Sequence, residues 1–456
     1  MKEFTLKIIR DLEVAKSTLL KRLPLELEEI PPGLKQRIKE AFAEELTPQQ
    51  VVERIMADVR SKGDAALFDY TKRLDGVELT NLEVKREEIA QSYAKVSQEL
   101  VSALNLAAQR IQAFHLNYKR QSWVDFVEGG LGQWFRPLER VGIYIPGGTA
   151  YYPSTLLMTA IPARVAGVKE IILTIPPREG AIPPAILVAA DIAQVDRVFN
   201  VGGAQAIAAL AFGTPSIPKV DKICGPGNIF VQLAKKMVYG MVGIDGLYGP
   251  TETIIFADET ANPVICAADL LAQAEHDPLA SAILITTSSE LAARVNQEIE
   301  NQLIRLERRE IAATSLENKG GIIIVTNVDQ AVELIDEYAP EHLSLMMRDA
   351  WSYSEKIKNA GGVFIGEDSP EAMGDYTAGP SHVMPTGGTA RFNSPLTTDD
   401  FLKVTSVIAI DSQTLRAIGP AAAIIAQAEG FSGHARAVEI RLAKGRKNKN
   451  QTGYFQ

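Results

Sequence analysis

The sequence predicts an α/β protein of two doubly wound halves, preceded by a helical layer and followed by a small C-terminal unit. Three observations carry that expectation. From residue 140 onward, short apolar, β-rich runs alternate with Ala-rich helical stretches, the pattern of a parallel sheet built from βαβ units. Nearly every run is followed by Gly or Pro before the next helical stretch, and the cycle restarts near residue 250. With 456 residues, 46% of them apolar and 23% charged, the chain can bury more than one core; at about 150 residues per domain it divides into two to four.

Residues 1–139 read as the helical layer. Pro31-Pro32-Gly33 separates two helical segments, and Thr47-Pro48-Gln49-Gln50 opens the next, with Thr47 as cap, Pro48 at the first helical position and Gln50 at capping-box spacing. Residues 140–248 form the first α/β half, with strands expected at 141–145, 170–175, 197–201 and 219–224. Pro146-Gly147-Gly148, Gly202-Gly203 and Gly225-Pro226-Gly227-Asn228 end three of them. Residues 249–385 form the second half, with strands at 252–257, 282–286, 321–325, 342–346 and 362–365. Residues 386–456 form the small terminal unit, with an Ala-rich helix at 421–429 and a polar tail from Lys444.

Charge and cysteine content narrow the function classes. Lys and Arg number 47 against 56 Asp and Glu, a net charge of −9, so there is no basic field to hold nucleic acid or an anionic membrane. The N-terminal residues are charged and lack a secretory signal, and no apolar run approaches the roughly 18 residues of a membrane span. Cys224 and Cys266 cannot build a disulfide framework, which suits a reducing cytoplasm. Cys224 beside a glycine loop reads first as core and second as a nucleophile. A cytoplasmic enzyme is expected.

Histidine is scarce, with five residues: His115, His276, His342, His382 and His434. In Gln273-Ala274-Glu275-His276-Asp277-Pro278 the i, i+3 spacing puts Gln273 and His276 on one helix face near a helix end. Asp375 and His382 share a glycine-punctuated stretch, as do Glu429 and His434. His276, His434, Asp375 and Gln273 make an N/O donor set suited to a catalytic zinc or similar divalent ion. Each histidine alone also reads as a satisfied core or cap residue. Pro340-Glu341-His342-Leu343 sets an acid/base pair at a strand start. The glycine loops after 141–145 and 219–224 sit where open sheets bind ligands, but neither matches a dinucleotide or P-loop fingerprint.

Taken together, Val141-Gly142-Ile143-Tyr144-Ile145-Pro146-Gly147-Gly148, Tyr152-Pro153-Ser154-Thr155, Val220-Asp221-Lys222-Ile223-Cys224-Gly225-Pro226-Gly227-Asn228, Gln273 to Pro278, Pro340 to Leu343, Ser369-Pro370-Glu371-Ala372-Met373-Gly374-Asp375-Tyr376 and Glu429 to His434 resemble the histidinol dehydrogenase family in order and spacing. The resemblance runs from about residue 30 to 440. It implies Rossmann-like halves and an NAD-dependent, metal-dependent oxidation of L-histidinol to L-histidine through the aldehyde, the close of histidine biosynthesis. It implies metal ligands Gln273, His276, Asp375 and His434 for one Zn2+ per subunit, with Mn2+ or Co2+ as substitutes. Glu341 and His342 become the acid/base residues. Thr251, Gln273, His276, Glu341, His342, Asp375, His382, Glu429 and His434 become substrate contacts, and Tyr144, Gln205 and Asn228 NAD contacts. It also implies an intertwined homodimer whose C-terminal segment reaches the partner's site. Ser381 and Thr251 depart from the family's usual Asn and Ser. A related dehydrogenase of another small alcohol, or a metallohydrolase using the same donors without NAD, would share these residues.

Overall fold

Two parallel sheets organise the larger part of the chain. The computed structural model describes residues 5–22, 32–127, 129–147, 151–178 and 180–450. Residues 1–4, part of the charged N-terminal stretch noted above, and Pro31 and Gly148, read above as breakers, lie outside these. The first sheet runs in the order Arg197–Asn200, Glu170–Ile175, Arg140–Tyr144, Lys222–Cys224, Gly243–Ile244. The chain starts inside this sheet, winds two strands to one side, then returns and winds to the other. The order therefore reverses between Arg140–Tyr144 and Lys222–Cys224. The second sheet repeats the scheme: Ile8–Ile9, Gly321–Ile324, Ser281–Thr286, Glu252–Ala257, His342–Met346, Gly362–Ile365, all parallel.

Strand residues alternate between two buried layers, which is why these runs read as continuously apolar. Ile255, Ala257, Ala282, Leu284, Ile322 and Ile324 pack on helices Pro263–Ala274, Ser289–Leu303 and Arg309–Lys319. Ile254, Phe256, Ile283, Ile285, Leu343 and Leu345 pack with Leu334 and Ile335 of helix Val328–Tyr338 on the other face. In the first half, helices Pro48–Lys62, Gly203–Phe212 and Ile229–Val238 share a core with Tyr144, Ile172 and Ile223. The expected start of helix Pro48–Lys62 is present, with Thr47 accepting from the Gln50 amide in a complete capping box.

Three features depart from the expected boundaries. Ile8–Ile9 leaves the N-terminal layer and extends the second sheet through a parallel pairing with Gly321–Ile324. Residues 120–137, placed by sequence with that layer, group instead with 402–456 as a second unit, while 386–401 stay in the first. In the second unit, strand Leu402–Ala409 pairs antiparallel with Gly130–Pro137, which pairs with Trp123–Asp125. These strands show period-two alternation too weak to outweigh their distance in sequence. Helices Ser412–Ala428 and Ser432–Asn450 complete the unit, so the stretch read as a polar tail from Lys444 is helical to residue 450.

Candidate active site

The parallel register brings two strand starts together. Thr251 immediately precedes strand Glu252–Ala257 and Glu341 immediately precedes His342–Met346, and His342 lies opposite Thr253. The Glu341 carboxylate thus meets the neighbouring strand's first residues: its Oε2 accepts from the Thr251 hydroxyl at 2.5 Å and from the Glu252 amide at 3.1 Å. The Gln273 side-chain amide donates to Thr251 Oγ1 and so turns its carbonyl oxygen elsewhere. His342 Nδ1 stands 3.5 Å from the same Glu341 oxygen, and its Nε2 stands 3.9 Å from Asp375 Oδ1. Both ring nitrogens are buried and, among the described residues, make no hydrogen bond. Burial disfavours charge on the ring, but Glu341, Glu371 and Asp375 outweigh it and raise the imidazole to about 10.

Helix Glu371–Tyr376 delivers Asp375 to this edge. Its first residue, Glu371, is 4% exposed and accepts from the hydroxyls of Thr253 and of Ser344, the latter at 3.1 Å. Its second oxygen is buried and has no hydrogen-bond partner among the described residues, and burial pushes the carboxyl up to about 7. Sequence reading quoted this residue's segment without assigning the residue; only the fold shows that it faces the same sheet surface as His342. His382 Nδ1 lies 2.8 Å from the Asp375 carbonyl oxygen, which can only accept, so Nδ1 carries the proton and Nε2 accepts from Thr155 Oγ1 at 3.0 Å. Thr155 belongs to helix Pro153–Ala166 of the first half, so His382 joins the halves beside Asp375. Ser381 donates to the Met158 carbonyl at 3.0 Å and accepts from the Val383 amide, a structural use of its hydroxyl.

In the first half, the loops after Tyr144 and Cys224 flank the order reversal, the position at which open α/β sheets bind ligands. Gly225 is fixed there by geometry, since a Cβ would stand 2.0 Å from the Tyr144 carbonyl oxygen and its φ is +118°. Its amide donates to Asp245 at 2.6 Å, and Lys235 Nζ spans the Gly225 carbonyl and Asp245 Oδ1 at 2.9 and 2.5 Å in a fully buried ion pair. The Tyr144 hydroxyl accepts from the Gly203 amide at 3.3 Å, and burial raises its phenol. Gln205, in the first turn of helix Gly203–Phe212, has a buried Oε1 without a partner. Asn228 caps helix Ile229–Val238, accepting from the Phe230 and Val231 amides. Cys224 is wholly buried, with burial raising its thiol, which makes it core.

The expected metal donors do not all share one unit. Gln273, His276 and Asp375 lie in the first, where helix Pro263–Ala274 packs against Glu371–Tyr376. His276 falls just past that helix, its amide donating to the Gln273 carbonyl at 3.3 Å. Glu429 and His434 lie in the second unit, at the turn between its helices, and both are exposed. Among the described residues no three His, Cys, Asp or Glu side chains are grouped closely enough to hold a metal ion.

Comparison with known proteins decides the family. Residues 38–442 match the family model described as histidinol dehydrogenase. The chain belongs to the histidinol dehydrogenase family. It is 54% identical over 398 residues to the histidinol dehydrogenase of Dehalococcoides mccartyi, covering 87% of this chain and 91% of that protein. It is 53% identical over 420 residues to that of Deinococcus radiodurans, covering 91% and 95%. The crystal structure of histidinol dehydrogenase from Elizabethkingia anophelis superposes with a TM-score of 0.89 at 37% identity, over 97% of this chain and 99% of that one.

Proposed function

We propose that this chain oxidises L-histidinol to L-histidine in two NAD-dependent steps, the last of histidine biosynthesis, in the cytoplasm. The observation that carries the reading is the paired strand start: a carboxylate, Glu341, fixed by Thr251 and Glu252, beside an imidazole, His342, within one buried edge. Histidinol dehydrogenase relatives at 50–54% identity support the substrate.

The chemistry needs two roles of these residues. Oxidation of the alcohol removes a hydride from carbon and a proton from oxygen; oxidation of the aldehyde adds water, then removes a second hydride, and releases two further protons. His342 takes the proton of the alcohol, and Glu341 takes the proton of the attacking water. NAD would supply the hydride acceptor for both steps, and a divalent ion held by Gln273, His276 and Asp375 would supply positive charge that orients the substrate. The donors suit such an ion: a carboxylate in Asp375, an imidazole in His276, and a Gln273 carbonyl oxygen turned away from Thr251. Loss of charge at Asp375 to a cation also favours neutral His342, the form a base requires. Tyr144, Gln205 and Asn228 line the NAD position at the order reversal.

Three donors in one unit leave the set one short, and we place the partner subunit's His434 and Glu429 there in a homodimer. Ile408, Ile424, Ile425, Phe431 and Ile440 of the second unit are exposed, an apolar area of the kind that obligate partners cover. Among the described residues no helix is long and apolar enough to cross a membrane.

Absorbance at 340 nm tests the reading. It should grow only with histidinol and NAD together, stop on chelation and return with added zinc. No growth in absorbance with a divalent ion bound would favour a hydrolase or a dehydrogenase of another small alcohol.

A further inference from the structure

We propose that Arg22 is a positioning residue for the Glu341 carboxylate, acting through Glu252. The inference rests on the reading of Glu341 as the group that activates water. Arg22 lies in the N-terminal segment, which is anchored where Ile8–Ile9 joins the second sheet and where Asp11 caps helix Leu12–Ser17. From there its guanidinium reaches the back of both strand starts. Nε donates to Glu252 Oε1 at 3.0 Å and Nη2 to Oε2 at 2.5 Å, a two-pronged ion pair. Nη1 donates to the Tyr338 carbonyl, and the guanidinium carbon sits 3.7 Å from the Tyr338 ring centroid. Tyr338 ends the helix that leads into Pro340 and Glu341. The loop after His382 closes over the pair: the Gly387 amide donates to Glu252 Oε2 at 3.2 Å, and a Cβ on Gly388 would stand 2.6 Å from Nη1.

Glu252 has two faces in this arrangement. Its amide holds the Glu341 carboxylate, while its own side chain is 11% exposed and, among the described residues, has Arg22 as its ion-pair partner. Two carboxylates therefore stand at one buried edge, Glu252 with the Arg22 guanidinium and Glu341 with the His342 imidazole beside it. Removing Arg22 leaves Glu252 buried without a counter-charge, repelling Glu341, and frees the strand start whose amide fixes Glu341. A guanidinium fits this place and an ammonium does not, because the contact is forked, planar and stacked on an aromatic ring.

The test compares Arg22→Ala, Arg22→Lys, Arg22→Ala/Glu252→Gln and Glu341→Gln with the wild type. Two rates are read: the first hydride transfer from histidinol in a single turnover, and oxidation of supplied histidinaldehyde. Arg22→Ala should slow the aldehyde step by about tenfold or more and the first hydride by less than about threefold. The double variant, which removes the stranded charge, should return the aldehyde step to within about threefold of wild type. Equal losses in both steps, or a double variant no better than Arg22→Ala, would overturn the proposal. If Arg22→Ala does not fold, Arg22→Lys carries the same comparison, and its failure to slow the aldehyde step selectively would overturn it likewise. Glu341→Gln separates the two levels. If it impairs the aldehyde step and the Arg22 variants do not, the positioning role alone fails; if it leaves that step intact, the reading of Glu341 fails and the proposal with it.

Discussion

Glu341 Oε2 stands 3.5 Å from His342 Nδ1, although the two are sequence neighbours and successive side chains of a strand point to opposite faces. The contact exists because Glu341 is just outside strand His342–Met346. Ala339 adopts a left-handed backbone, φ 51°, ahead of Pro340, and this turns the carboxylate back across the edge toward Thr251 and the imidazole. Two sequence neighbours thus become a carboxylate and an imidazole side by side at one buried edge, the pair to which we propose dividing the two proton transfers.

That division of labour has a kinetic signature. His342→Asn should lower the first hydride transfer by about 10²-fold or more and regain part of it as pH is raised, whereas Glu341→Gln should chiefly impair oxidation of supplied aldehyde. Rapid-mixing measurement of both steps in both variants checks this; equal losses in both steps for both variants would refute it.

Glu371 predicts a pH-dependent stability. Its carboxyl rises from 4.5 to about 7 on folding, so it contributes stability below its unfolded value and loses it as pH rises through about 7. Relative to Glu371→Gln, the chelated wild-type protein should lose about 2–3 kcal/mol between about pH 5 and about pH 8. Urea unfolding of both proteins at the two pH values measures it, and parallel pH dependences would contradict the assignment.

Much of this was legible in the sequence, and the gaps have physical causes. Apolar β-rich runs ending in Gly or Pro located both parallel sheets, and Pro340-Glu341-His342 placed a carboxylate and an imidazole at a strand start. Edge strand Ile8–Ile9 is two residues long, too short for periodicity to register, and its pairing partner is more than 300 residues away. Glu371 and Thr155 stand in segments that carry the family resemblance without a role of their own, and Arg22 stands in none; they matter because register and loop closure bring them to the edge.

Gly225→Ala probes the first half. A Cβ there would meet the Tyr144 carbonyl at 2.0 Å in backbone that side chains rarely adopt, so the loop must shift. KM for NAD should rise by about tenfold or more while KM for histidinol changes by less than about threefold. Steady-state kinetics with each substrate varied decides it; unchanged NAD dependence would remove this loop from the cofactor site.

Shared sites can be tested by mixing inactive His434→Ala and His276→Ala subunits. Random exchange gives half mixed dimers, each with one intact site if His434 serves the partner, so activity should return to about a quarter of wild type. With exchange confirmed by a tag on one subunit, no recovery would place His434 in its own subunit's site or outside any.

We propose that one site removes two hydrides from one alcohol, with Glu341 and His342 dividing the proton work. The most direct measurement is the number of NADH molecules formed per histidinol consumed, read at 340 nm against histidine released. Two NADH and one histidine are expected for each histidinol. One NADH with free aldehyde as the product, or histidinol consumed with no NADH, would contradict it.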